Sequence, residues 1–411
     1  MFNAILGSFT GKITLVMAVV AVLWSVNSVI DVPVLPADEP VKIGQVNNGG
    51  SNPDPDPDPD PDPDPDPDPD PDPSATDLET VHRQIVERVV LVAVDDFKTQ
   101  TDSLSSLTDS FCASGATTIT DLQDQWRTLY NSWSYLANFV FGPLEDDIFF
   151  PEYLFIDSYR QRGTDYSETV RAEIASDISS STTLDKAYFD GKNFQRVGLL
   201  ALEIALFETA TGEQARDAAS ITAEFNNSPR KCEIAQGLLA SLSGRAAAVE
   251  SGWLQSYGDS GQSFETIFTA DALEPLDLGD ADPSNGKSPI VILILGIQDH
   301  LVHLQDRAVV TRVAQLAESS WDAVARSVDS AEAFLEGGAG STVSLADLLI
   351  AQGDGTAVDI ARTNLIAIRE AIELSDPVLL EVRLGELDGN FKREIPDAIG
   401  VDLGTNFSDG D

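Results

Sequence analysis

The chain has 411 residues, 42% of them apolar, and sets 68 Asp and Glu against 25 Lys and Arg for a formal charge of −43. Nucleic acid and anionic lipid both need a basic surface, and this one repels them. The apolar fraction supports a large packed core, so the chain as a whole is not a disordered acidic polymer, and its length allows two or three domains.

Residues 1–73 hold two basic and thirteen acidic residues, which leaves 23 basic and 55 acidic in 74–411, a net of −32. Only six of those 23 are lysine. A Lys-poor, acid-rich surface is what adaptation to salty water produces.

Ile13 to Val26 is an apolar run of fourteen residues after Lys12, extended more weakly to Ile30. Fourteen is short for a membrane span and suits the apolar region of an export signal. No convincing cleavage site follows, so two readings of residues 1–30 stay open: an export signal, or an anchor over residues 13–30 that would be the chain's one contact with a membrane. Pro53 to Pro73 is a strict Pro-Asp alternation. Proline fixes φ and lacks an amide hydrogen, each Asp before it is pushed to extended geometry, and like charges repel. The tract reads as a stiff spacer of about 65 Å at ~3.1 Å per residue, inside a disordered linker over 31–76.

From Asp77 onward the apolar period is close to 3.6. Leu122, Trp126, Leu129, Tyr130, Trp133, Leu136, Ala137 and Val140 share one helical face, and Phe141-Gly142-Pro143 ends it. At that spacing Trp126, Tyr130 and Trp133 read as bundle core rather than as a ligand platform. Further helices are predicted over about 77–108, 165–178, 192–224, 230–257, 289–335 and 357–394. Val291 to Leu295 is β-branched enough for a strand, but its apolar spacing continues through Leu304 and reads as helix. The fold class is all-α, a two-lobed helical bundle over 77–411 with lobes of roughly 77–225 and 226–411.

Four segments carry a resemblance. Gln125-Trp126 leads through Trp133 to Phe141-Gly142-Pro143-Leu144; Gly198-Leu199-Leu200-Ala201-Leu202-Glu203 precedes an apolar run; Arg230-Lys231-Cys232 opens a helix reaching Trp253; and Ile399-Gly400 leads to Asn406-Phe407 and Asp409-Gly410-Asp411. In this order they resemble the imelysin-like family, once catalogued as insulin-cleaving metallopeptidases of the bacterial envelope. The resemblance implies two related helical bundles with the signature helix near their interface. It also implies export to the periplasm or cell envelope, an association with iron acquisition, and partners that are a metal ion or iron carrier and other uptake components.

The family's signature is G-x-H-x-x-E. Gly198 and Glu203 match it, but Leu200 stands where the histidine belongs. Leucine cannot replace a nitrogen ligand, and one carboxylate neither holds zinc nor activates water. The expectation is a binding or accessory protein, with a metallopeptidase and a silent scaffold on a stiff linker as alternatives. Glu203 itself is either a binding-site acid or a structural carboxylate, since it stands among Leu199, Leu202, Ile204 and Leu206 and needs a partner.

Two other groups of residues are candidates. In Asp299-His300-Leu301-Val302-His303-Leu304-Gln305-Asp306 the two histidines lie three apart on one helical face, and Asp299 or Asp306 could add oxygen to half a site for iron or another divalent metal. The alternative is a polar face with two ordinary histidines. Cys112 and Cys232 are the only cysteines; in an exported protein the pair reads as a disulfide, against two buried free thiols. Asn285-Gly286-Lys287-Ser288 lacks the first glycine of a phosphate loop, and Asp280 to Gly286 places its glycine one position late for a calcium loop.

Overall fold

The computed structural model describes residues 73–210, 214–279 and 282–404. The apolar segment 13–30, nearly all of the Pro-Asp tract and the tail from Asn406 lie outside those residues. Every regular element among the described residues is helical, and no helix among them is long and apolar enough to cross a membrane.

Helix α1 is described over Pro73–Ile85. It continues through a π-type turn (Val86–Val90) into α2 (Leu91–Ser114). Thr118 and Asp121 form a reciprocal capping box that starts α3 (Ile119–Leu136). The aromatic face predicted for this helix is its buried face: Leu122, Trp126, Leu129, Trp133 and Leu136 are all sealed from solvent. The helix then tightens into 3₁₀ turns and ends at Gly142-Pro143. Gly142 is at φ +55°, and a Cβ there would run into the Phe264 ring.

Next come α4 (Ser167–Ser179), α5 (Gly198–Phe207), α6 (Ala218–Asn227) and α7 (Pro229–Leu254). They are followed by α8 (Pro289–Asp306), α9 (Ser320–Glu336), α10 (Leu345–Gln352), α11 (Gly355–Glu373) and α12 (Pro377–Gly389). Helix α3 is central: it packs on α2 and on α9, while α7 covers the other side of α2. Helix α12 packs on both α8 and α11. One continuous set of buried apolar side chains runs from Leu78 to Ile395, and Val291 to Leu295 lies inside α8.

Three stretches predicted as single helices are broken. The 192–224 stretch holds α5 and α6 with an irregular connection between them, 357–394 bends at Ser375 (φ +50°) before Pro377 restarts it, and 289–335 opens over 307–319. Residues 307–319 contain neither Gly nor Pro, yet Ala308, Ala314 and Glu318 sit at φ between +51° and +54°. Left-handed backbone costs such residues about 1 kcal/mol or more each. Tertiary contacts therefore outweigh helical propensity here, and those contacts define the site.

Candidate functional site

Helix α5 is short and apolar on all sides, so it can only be a core element. Its first residue, Gly198, has φ +78°, and a Cβ there would collide with the carbonyl oxygens of Phe155 and Ile156. Only glycine lets the helix start so close to that backbone. Glu203, one turn on, is 4% exposed. The amides of Leu316 and Ala317 donate to its Oε1 at 2.9 and 3.0 Å. These donors come from the 307–319 break, which is the physical reason the break exists. Arg127 Nε donates to the Ala317 carbonyl (2.8 Å) while its guanidinium lies over Phe207, and Gln315 staples the segment to Val310, Val313 and Ser320.

Burial pushes the Glu203 carboxyl up to about 7, against the pull of the two amides. The second oxygen, Oε2, accepts no hydrogen bond among the described residues. Glu203 borders a cavity of about 320 Å³ whose lining includes Trp126, Leu199 and Leu200 together with Arg171, Arg216 and Arg312. Leu200 therefore faces the same space as Glu203, one helical turn away.

The far end of α5 is fixed by buried charge. Glu208, 1% exposed, accepts from Arg171 Nε (2.5 Å) and Nη2 (3.2 Å). Its carbonyl accepts from the fully buried Lys231, which also donates to Glu224 at 2.6 Å. Burial lowers the Lys231 ammonium from its usual range, an effect its carboxylate partners partly offset. The Arg230-Lys231-Cys232 run thus has three separate duties. Arg230 holds the Thr182 carbonyl (2.7 Å), Lys231 locks α5, and Cys232 is bonded to Cys112 with their Cα atoms 5.8 Å apart.

His300 lies beyond a wall made by Tyr130 and Asp157, which border both the Glu203 cavity and a small void of about 20 Å³ beside the histidines. Arg160 Nη1 stands 2.6 Å from His300 Nδ1, and His300 Nε2 stands 2.9 Å from Ser327 Oγ. Arginine can only donate, so Nδ1 is the acceptor and Nε2–H donates to Ser327. Burial and then the Arg160 charge hold both His300 and His303 well below the ordinary histidine range. Asp299 and Asp306 are exposed on the same helix. Among the described residues no three His, Cys, Asp or Glu side chains converge on one point. A metal at His300 would have to displace the Arg160 hydrogen bond.

At Glu203 the donor set is similarly unsuited to a bare metal ion. Oε1 is filled by two amides, Leu200 offers no lone pair, and three arginines line the same cavity. Asp157, buried and raised in pKa by that burial, already accepts from Trp133 Nε1 (3.0 Å) and the Tyr159 amide (3.1 Å). What the site offers is an acid near its midpoint, an apolar wall and fixed cations. Sequence reasoning picked out Gly198 and Glu203 but missed Tyr130, Asp157 and the arginines. The scarcity of basic residues was the one available signal for the last.

Residues 91–395 match the sequence profile described as imelysin. No curated protein matches the sequence. An imelysin-like protein from Psychrobacter arcticum 273-4 superposes with a TM-score of 0.62 at 16% identity, covering 81% of this chain and 99% of that one. A putative iron-regulated protein A precursor from Parabacteroides distasonis ATCC 8503 does so with a TM-score of 0.53 at 17% identity, covering 80% and 96%. At such identity the likeness is one of fold.

Proposed function

The chain belongs to the imelysin family, and on that premise we propose that it is a non-catalytic binding protein of the cell envelope that serves iron acquisition, with the cavity at Glu203 as its ligand site. The observation that carries this reading is the state of Glu203: one oxygen committed to backbone amides, the other open to a cavity, and Leu200 where the signature histidine would add a nitrogen ligand. Such an arrangement can hold a ligand by hydrogen bonds. It lacks the second and third ligands that would hold zinc and activate water for peptide hydrolysis. The iron assignment is supported by the name of the Parabacteroides protein, whose "precursor" is also consistent with export. The apolar run 13–26 and the stiff tract after it fit a domain held away from a membrane.

The test has two arms on the purified full chain. Iron offered as a chelate should bind saturably and lose at least tenfold in affinity with Glu203→Ala, whereas free iron should bind weakly or not at all. An unfolded polypeptide substrate should remain intact. Fragment release abolished by Glu203→Ala would instead establish a peptidase, and the absence of binding in any form would leave only a scaffold.

A further inference from the structure

The arginines around the cavity point to the ligand's chemical class, an inference that rests on the cavity being the binding site. The protein carries 68 acidic residues and 25 basic ones, yet three arginines meet at this one cavity. They are not equally available. Arg171 is saturated by Glu208 and Glu168. Arg216 reaches Glu208 only at 3.7 Å, with 60% of its side chain exposed. Arg312 is exposed and has no ion pair or hydrogen bond among the described residues, although its charge is close enough to Tyr159 to oppose the rise in that phenol's pKa.

Arg312 thus keeps its guanidinium free of partners among the described residues at the lining of the cavity. Its position is also fixed: it ends the one-turn helix Val309–Arg312, between the left-handed residues Ala308 and Ala314. A planar guanidinium fork recognises an oxyanion in two parallel hydrogen bonds. The acids at the cavity do not fill that role. Both Asp157 oxygens are engaged, and Asp165 Oδ1 accepts the Ser167 amide.

We propose that the cavity binds a small hydroxycarboxylate, with a carboxylate taken by Arg312 and Arg216 and the hydroxyl delivered to Glu203 Oε2. A hydroxyl both donates and accepts, so it suits Glu203 in either protonation state. The volume admits a small organic acid, and Leu200 and Trp126 give its carbon skeleton an apolar wall. Iron would then enter as cargo of the anion rather than as a bare ion.

Isothermal titration of the full chain with citrate, with tricarballylate (the same tricarboxylate without the hydroxyl) and with ferrous ion alone separates the alternatives. Citrate should bind one per chain and more tightly than tricarballylate. Arg312→Ala or Arg216→Ala should weaken both by tenfold or more, and Glu203→Ala should erase the difference between them. Ferrous ion that binds through Glu203 and binds no worse in Arg312→Ala would overturn the anion and leave the site standing. If neither citrate, tricarballylate nor ferrous ion is bound, the site and the anion fall together.

Discussion

At the scale of single residues, Glu203 carries the account, and its protonation leaves a thermodynamic mark. Its carboxyl is raised from 4.5 to about 7 in the folded chain. The folded state therefore holds a proton that the unfolded state has released between those values, and stability falls as pH rises through that window. Below about 4.5 both states are protonated and there is no penalty; above about 7 the full cost is present, on the order of 3 kcal/mol. Glu203→Gln keeps an oxygen for the Leu316 and Ala317 amides but cannot ionise. Denaturant titrations should find the variant close to wild type at pH 4.5 and more stable by about 2–3 kcal/mol at pH 8. A gap that does not widen with pH would place the second oxygen in a better solvated setting than the cavity. Gly198 and Glu203 were legible because a lone acid in an apolar run and a glycine at its head are local signals. The partners of Glu203 are backbone amides more than a hundred positions away, and no sequence pattern marks an amide.

At the scale of elements, the helix period gave most of α1 to α12 but not their interruptions. The break at 374–376 had local causes in Asp376, whose carboxylate caps α12, and in Pro377. The opening at 307–319 has no Gly or Pro to mark it, and hydrogen bonds with Glu203, Arg127, Gln315 and Tyr159 hold it open. Removing the acceptor should therefore release the segment. In Glu203→Ala, amide hydrogen exchange should accelerate at least tenfold at Leu316 and Ala317 while amides in α3 and α7 keep their protection. Unchanged protection across 307–319 would mean that Gln315 and Arg127 are sufficient. The helix predicted over 289–335 ran past its break for a physical reason: propensity loses to a buried carboxylate that must be satisfied.

At the scale of the whole molecule, the charge of −43 resolves into parts with different roles. Ten acids belong to the Pro-Asp tract. Others start helices, among them Asp121, Asp217, Asp347 and Asp376, where a carboxylate meets free amides. Hydrogen bonds from Thr118 and Ser220 hold the Asp121 and Asp217 carboxyls below the usual carboxylate range, as that role requires. Buried Glu208 and Lys231 are ion-paired, whereas buried Glu203 is held, among the described residues, by backbone amides alone. The Cys112–Cys232 bond spans 120 positions and ties α2 to the start of α7. Loop closure over that length contributes about 4–5 kcal/mol. Cys112→Ser with Cys232→Ser should lower the denaturation midpoint and steepen the slope, because the unlinked unfolded chain exposes more surface, whereas an unchanged midpoint would show that α2 and α7 hold without it.

The central claim is that the Glu203 cavity binds rather than cuts. Equilibrium dialysis of iron, free and as citrate chelate, against the full chain and its Glu203→Ala variant tests it most directly. The account predicts saturable uptake of the chelate by wild type, about one per chain, reduced at least tenfold in the variant. Equal uptake by both proteins, or none by either, would contradict it.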